Sequence, residues 1–197
     1  MSLELWNTLG TLGTFVVIGA TAIAALVQLR HMRGSNQIAA LSDLYEKERT
    51  PEYASARQFV FSGLAPKMQD ASFRYQILHP EARTEDNAIL IAKALAVGSY
   101  YEEMGIFAKS GLVDRKYLFD MHAATIQDAW HALTEFTAIR RERFGPVLYE
   151  NFEYVTVLAQ DWMAKYPSGT YPANVRRLDV PNKWRSADEQ YLATLAT

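Results

Sequence analysis

For 25 residues, Leu5 to Leu29, the chain carries no charged side chain, and nothing else in it constrains the fold as strongly. Within that stretch, Leu9–Leu29 is 21 residues, which as a helix rising about 1.5 Å per residue extends about 31 Å. The hydrocarbon core of a bilayer is roughly 30 Å thick, so the length suits one crossing. Ten of the 21 are Leu, Ile, Val or Phe. Each favours insertion by about 0.3–0.6 kcal/mol, with Gln28 and three threonines opposing a little.

Two readings of the stretch compete. Ala22-Ile23-Ala24 resembles a signal-peptidase site, but a cleaved signal has a positive region ahead of its apolar run. Here Glu4 is the one charge in residues 1–8, while Arg30, His31 and Arg33 follow the run directly. Positive flanks stay inside. The expectation is therefore an uncleaved anchor over residues 1–33, with the N-terminus outside and the rest of the chain cytoplasmic.

The span has two unlike faces. Stepping at 100° per residue, Gly10, Gly13, Thr14, Ala20, Thr21, Ala24, Ala25 and Gln28 fall on one side, with Leu12, Phe15, Val16, Ile18, Ile23, Leu26 and Leu29 on the other. Val17 interrupts the small face, and Gly19 and Ala22 lie on the large one. Small residues let membrane helices approach closely. Gly10, Gly13, Ala20 and Ala24 are the expected packing positions, against a second copy or another membrane-protein subunit.

Residues 30–197 hold 20 basic and 21 acidic side chains. A nucleic-acid binder concentrates basic charge for its phosphate contacts, and this near-neutral composition argues against one. The chain has no cysteine, which excludes disulfides, thiolate metal sites and a cysteine nucleophile.

The remainder reads as helices. Gly34-Ser35-Asn36 is expected to break the chain, followed by a helix from Asn36 to Arg49 with Ile38, Leu41, Leu44 and Tyr45 as its apolar stripe. Thr50-Pro51-Glu52 restarts a helix that stops near Gly63. A short helix is expected at Ser72–Leu78. Three long helices follow. Thr84–Lys109 has Leu90, Ala94, Val97, Tyr101, Met104 and Ala108 on one face. Asp114–Phe144 has Leu118, Met121, Thr125, Ala129, Leu133, Phe136 and Arg140. Pro146–Lys165 has Leu148, Phe152, Val155, Ala159 and Trp162. Short links make such helices antiparallel neighbours. The expected fold is all-α, an up-down helical bundle over residues 34–166 behind the N-terminal transmembrane helix.

From Tyr166 the chain turns rich in Pro, Gly, Ser and Asn, and then basic and aromatic at Arg176, Arg177, Lys183, Trp184 and Arg185. Ser186-Ala187-Asp188-Glu189 reads as a capping box opening a terminal helix. The tail, residues 167–197, is expected to dock on a protein surface through Trp184, Tyr191, Leu192 and Leu195. The alternatives are the membrane surface and a disordered end.

Chemistry is sparse. No phosphate-binding glycine loop, His-Glu-x-x-His or Gly-x-Ser-x-Gly occurs. Asp128, His131 and Glu135 share a helical face, where a surface charge pair is the ordinary outcome, so no metal and no cofactor is expected. Glu102 and Glu103 are adjacent and point about 100° apart on a helix, which rules out a carboxylate dyad. One is expected to pair inward with an arginine. Arg140, Arg141 and Arg143 lie in the last turn of their helix, favourable against its dipole. The functional alternative for Arg140 and Arg141 is an acidic partner or lipid. Together with Trp184 and the two glutamates they form the candidate interaction set.

Tyr100-Tyr101-Glu102-Glu103-Met104-Gly105-Ile106-Phe107, Gly111-Leu112-Val113-Asp114, Trp130, Arg140-Arg141 and Leu148-Tyr149-Glu150-Asn151-Phe152-Glu153-Tyr154 resemble a widespread bacterial family of unknown function. Its members have one N-terminal span and a helical cytoplasmic region. The resemblance covers about residues 9–165. It implies a fold and topology, in a bacterial inner membrane, and no activity. The functional expectation is a non-enzymatic interaction protein, an accessory or scaffold subunit whose partners are the lipid bilayer and other membrane-protein subunits or itself. Alternatives are a sensor or effector in stress or phage defence, and an enzyme with an unrecognised site.

Overall fold

The computed structural model describes residues 3–195, apart from the side chains of Glu4, Leu5, Asn7 and Leu9. The Glu4 charge used for topology, the span position Leu9 and the ends of the anchor and tail at residues 1–2 and 196–197 therefore lie outside what is described. The fold is all-α, with no strand among the described residues. Two compact units divide it, Met1–Pro167 and Ser168–Thr197.

Helix α1 (Leu3–Glu48) is unbroken. The expected interruption at Gly34-Ser35-Asn36 does not form. A glycine inside a helix costs only about 1 kcal/mol relative to alanine, with serine and asparagine costing less, and packing of the next turns outweighs it. Ala40 and Leu44 are buried, and Gln37, Leu41 and Tyr45 are half-buried. Ile38, placed on the buried stripe by its spacing, is 70% exposed, because the packed face is centred on Ala40 and Leu44.

The apolar part of α1 is different. It is long and apolar enough to cross a membrane, and none of its apolar window is buried. Thr14 and Thr21 donate their hydroxyls to the carbonyls of Gly10 and Val17, at 2.9 and 2.8 Å. That back-bonding satisfies side chains that would otherwise be costly in lipid.

Thr50 caps α2 (Pro51–Gln58), its hydroxyl accepting from Tyr53 N. The helix does not stop at Gly63. It passes through a π turn, Phe59–Gly63, into α3 (Leu64–Lys67). Asp70 caps α4 (Ala71–Leu78). Next come α5 (Glu85–Ser110), opened by Thr84 and closed by Gly111 at φ 71°, and α6 (Arg115–Phe144), opened by Asp114. Helix α7 spans Glu150–Lys165, four residues later than the expected start at Pro146, because residues 146–149 form turns and Tyr149 takes φ 57°.

Helices α5, α6 and α7 pack around Phe73, Met104, Ile126, Leu133, Phe136 and Phe152, all fully buried. Met121, assigned to the core of α6 by spacing, is 62% exposed. The buried face is rotated onto Phe119, Ala123 and Ile126. The last turns of α1 lie along the C-terminal half of α5.

In the second unit, the Tyr171 hydroxyl donates to the Arg176 carbonyl at 3.1 Å, and the Arg177 guanidinium lies 4.7 Å over the Tyr171 ring. Helix α8 spans Arg185–Leu195. Ser186 lies inside it and does not cap it. Ahead of the first turn Asn182 Oδ1 accepts from Trp184 N at 3.0 Å, an Asx turn that leads the chain into the helix. No residue of α8 is buried, and Trp184 is 73% exposed.

Candidate functional site

The motif residues that are separate in sequence meet where α5 crosses the start of α7. Helix α7 has no capping side chain of its own. Glu102, on α5, supplies one from across the interface. Its Oε2 accepts from Asn151 N at 3.1 Å and Phe152 N at 2.8 Å, and its Oε1 from Asn151 Nδ2 at 2.7 Å. Two orphan donors of the first turn are thereby satisfied, with negative charge at the positive helix end. No arginine pairs with Glu102 as expected. The pull of three donors on α7 defines its position.

The approach is close enough to require glycine on α5. A Cβ at Gly105 would overlap the Asn151 carbonyl, and one at Gly98 would sit 2.6 Å from the Tyr149 hydroxyl. Tyr101 stacks on Phe152 with centroids 5.0 Å apart, and Trp130 meets the same ring edge-on at 5.0 Å.

The arginines close the joint from α6. Arg140 Nη1 donates to the Tyr149 hydroxyl at 3.2 Å, its guanidinium 5.1 Å over the Phe144 ring. Arg141 Nε donates to the Leu148 carbonyl at 3.0 Å, and its Nη2 pairs with Glu153 at 2.7 Å. Arg143 holds the Leu78 carbonyl at 3.0 Å. Arg141 and Arg143 lie in the last turn of α6 as read from sequence, Arg140 stands just before it, and all three bind neighbouring segments of the same chain.

Glu103 points the other way. It pairs with Lys47 of α1 at 2.7 Å, and Lys47 also reaches Asp43 at 3.0 Å. Neither of the adjacent glutamates therefore meets an arginine. Glu103 and Lys47 stand at the end of an open groove of about 890 Å³ between α2 and α5. Its floor is Ala56, Ala92, Ala96, Ser99 and Tyr100, and Glu52 and Lys93 line its rim. Lys93 donates to the Ser55 hydroxyl at 2.9 Å. Sequence reasoning missed this groove. Its signal was the small residues Ala92, Ala96 and Ser99 at four- and three-residue spacing on a face otherwise read as solvent.

Between joint and groove lie three phenols. Tyr53 and Tyr100 have centroids 4.7 Å apart, and Tyr100 meets Tyr101 edge-on at 5.1 Å. Burial pushes all three above the ordinary phenol range, Tyr101 to about 12. Burial also raises Tyr149, against the opposing charge of Arg140, and lowers His122.

The remaining sequence candidates are dispersed. Gly10, Gly13, Ala20 and Ala24 lie on the exposed part of α1, with open space where a Cβ of either glycine would stand. Asp128, His131 and Glu135 are exposed on α6.

A helical bundle into which an apolar, membrane-length N-terminal helix is built as one of the packed elements defines the class of this protein. Within that class the chain belongs to the family described as a domain of unknown function, DUF4760, whose model matches residues 15–162. The match takes in 15 of the 25 residues of the uncharged stretch and the whole joint, and stops ahead of the second unit. No curated protein and no solved structure matches the chain.

Proposed function

We propose that this protein is a bitopic, non-enzymatic interaction protein of the bacterial inner membrane, with its N-terminus outside and its helical bundle presented to cytoplasmic or membrane partners, itself included. The observation that carries the reading is α1. Its apolar part is covered by none of the described residues, yet it runs unbroken into turns where Ala40 and Leu44 are buried and Lys47 is ion-paired. A bundle fixed to a helix that needs lipid is held at the bilayer in one orientation. The open groove beside Lys47 and Glu103 supplies an apolar contact surface at that fixed place.

The same continuity favours a second reading, a sensor or effector, since a helix packed at one end and spanning at the other transmits rotation or tilt. Purification in mild detergent tests the first reading. The expected outcome is a complex, of copies or with defined subunits, that survives dilution. A lone monomer at native expression level overturns it. Topology is checked in the cysteine-free chain: a cysteine at Ser2, outside the described residues, is expected to react with an impermeant maleimide in intact cells. One at Ser110 is expected not to react. The reverse pattern overturns the orientation.

A further inference from the structure

We infer that the turn between α5 and α6 and the start of α6 form a docking surface for the anionic headgroups of the bilayer that α1 enters. The inference rests on the anchored reading above and deepens it. Helix α1 lies along α5 with the two helices running in opposite directions. Lys47 meets Glu103, while Arg33, Asn36 and Gln37 share one polar cavity of about 1080 Å³ with Ser110–Arg115. The α5–α6 turn is thus the end of the bundle closest along α1 to the apolar span. At about 1.5 Å per residue, Arg33 stands about 6 Å beyond Leu29 and Gln37 about 12 Å beyond it. The headgroup layer is roughly 5–8 Å deep on each side, so the turn meets it.

The charge at this end suits that contact. Arg30, Arg33, Arg115 and Lys116 are all exposed, as is His31. Tyr117 is 64% exposed beside them, an aromatic of the kind enriched at membrane interfaces. Of the nearby acids, Asp114 accepts from Lys116 N at 2.8 Å and offsets one of these cations, and Glu150 is paired with Lys109 at 3.5 Å. Asp120 follows one turn further along α6. At the opposite end of α5, about 37 Å away, Glu81, Glu85 and Asp86 stand against Arg83 and Arg143, the latter held on the Leu78 carbonyl.

The test uses the full chain in lipid nanodiscs, with a small fluorophore on Ser110→Cys and, as control, on Glu81→Cys, and a headgroup-attached spin label as quencher. In discs containing phosphatidylglycerol, the label at 110 is expected to be quenched and that at 81 not. Each cation near an anionic surface favours docking by about fivefold. R115E/K116E is therefore expected to bring quenching at 110 down to the control level, and phosphatidylcholine discs to reduce it severalfold. Arg115 also holds the Ala108 carbonyl at 3.1 Å, so a salt titration of the unsubstituted cations provides a second arm that does not depend on folding of the variant. Quenching at 110 is expected to fall as salt screens the surface. If the label at 110 behaves as that at 81, or is quenched regardless of lipid charge and salt, the docking surface is overturned while the anchor stands. If the chain is not retained in the discs, the anchored reading fails with it.

Discussion

Glu102 and Glu103 are neighbours on one helix and have opposite fates. Glu102 is drawn into the joint, where three donors of α7 surround its carboxylate and glycine at position 105 lets the backbones touch. Glu103 stays at the end of the groove, where Lys47 meets it directly in a partly exposed ion pair. The two sides of α5 differ in what a contact is worth. A partly buried carboxylate that satisfies backbone donors is expensive to remove, because the donors are left unmet. An exposed ion pair contributes about 0–1 kcal/mol. The quoted sequence runs therefore contribute to both sides of α5: Glu102 and Gly105 to a structural joint with α7, and Tyr100 and Glu103 to the lining of the groove.

The comparison breaks most visibly at Gly105. Gly105→Val is expected to destabilise the bundle by about 3 kcal/mol or more, since the new side chain must displace the Asn151 backbone and not a flexible side chain. Glu102→Ala is expected to cost about 2–3 kcal/mol by stranding the Asn151 and Phe152 amides, with Glu102→Gln in between. Chemical denaturation of the variants in detergent checks both. If Gly105→Val is as stable as the parent chain, the two helices are not held at this separation and the joint loses its meaning.

Helix existence and type were legible in the sequence wherever a cap and a periodic stripe agreed. Thr50, Thr84 and Asp114 open helices as read, and Gly111 closes one. Positions decided by contacts between distant segments were not legible. The packing of Ala40 and Leu44 overrides the break signal at Gly34-Ser35-Asn36. The capture of α7 by Glu102 delays its start to Glu150, although Pro146 is a good first residue. Spacing alone rotated two stripes by about a residue, exposing Met121 and Ile38. Of the candidate set, Glu102, Glu103, Arg140 and Arg141 were found as residues, but Glu102 and Glu103 meet α7 and α1, about fifty residues away in opposite directions along the chain, and Arg140 and Arg141 meet the turn into α7, pairings that no local pattern encodes.

Alkaline pH is expected to act on joint and groove together, through the phenols between them. In the folded chain Tyr53, Tyr100 and Tyr101 are held neutral by burial, Tyr101 up to about 12, whereas in the unfolded chain a phenol ionises near pH 10. Above that value the unfolded state has shed protons that the native state keeps. The stabilisation is then complete below about pH 10 and is lost as pH rises toward the folded values. Each phenol contributes a slope of up to about 1.4 kcal/mol per pH unit. Tyr53→Phe is expected to flatten the loss by that share. A thermal midpoint that does not change between pH 9 and 11 would contradict the buried cluster.

The smallest effect is expected at Lys47 and Glu103, and it sharpens the contrast because it sets the lower bound. Both side chains are partly exposed, at 45% and 33%, so water and salt share in the interaction. Lys47→Ala removes two pairings, with Glu103 and with Asp43, whereas Glu103→Ala leaves Lys47 still paired with Asp43. Lys47→Ala is therefore expected to cost about 1 kcal/mol or less and Glu103→Ala less again. For a chain of this size that is at most about 4 °C in Tm, and raised salt should narrow it. The double variant gives the coupling directly. A coupling of about 0.2–1 kcal/mol places the clamp where an exposed pair belongs. A cost above 2 kcal/mol for either single variant, comparable with Glu102→Ala, would mean that α1 is locked to the bundle as firmly as α7 is. The distinction between the sealed and the open side of α5 would then fail.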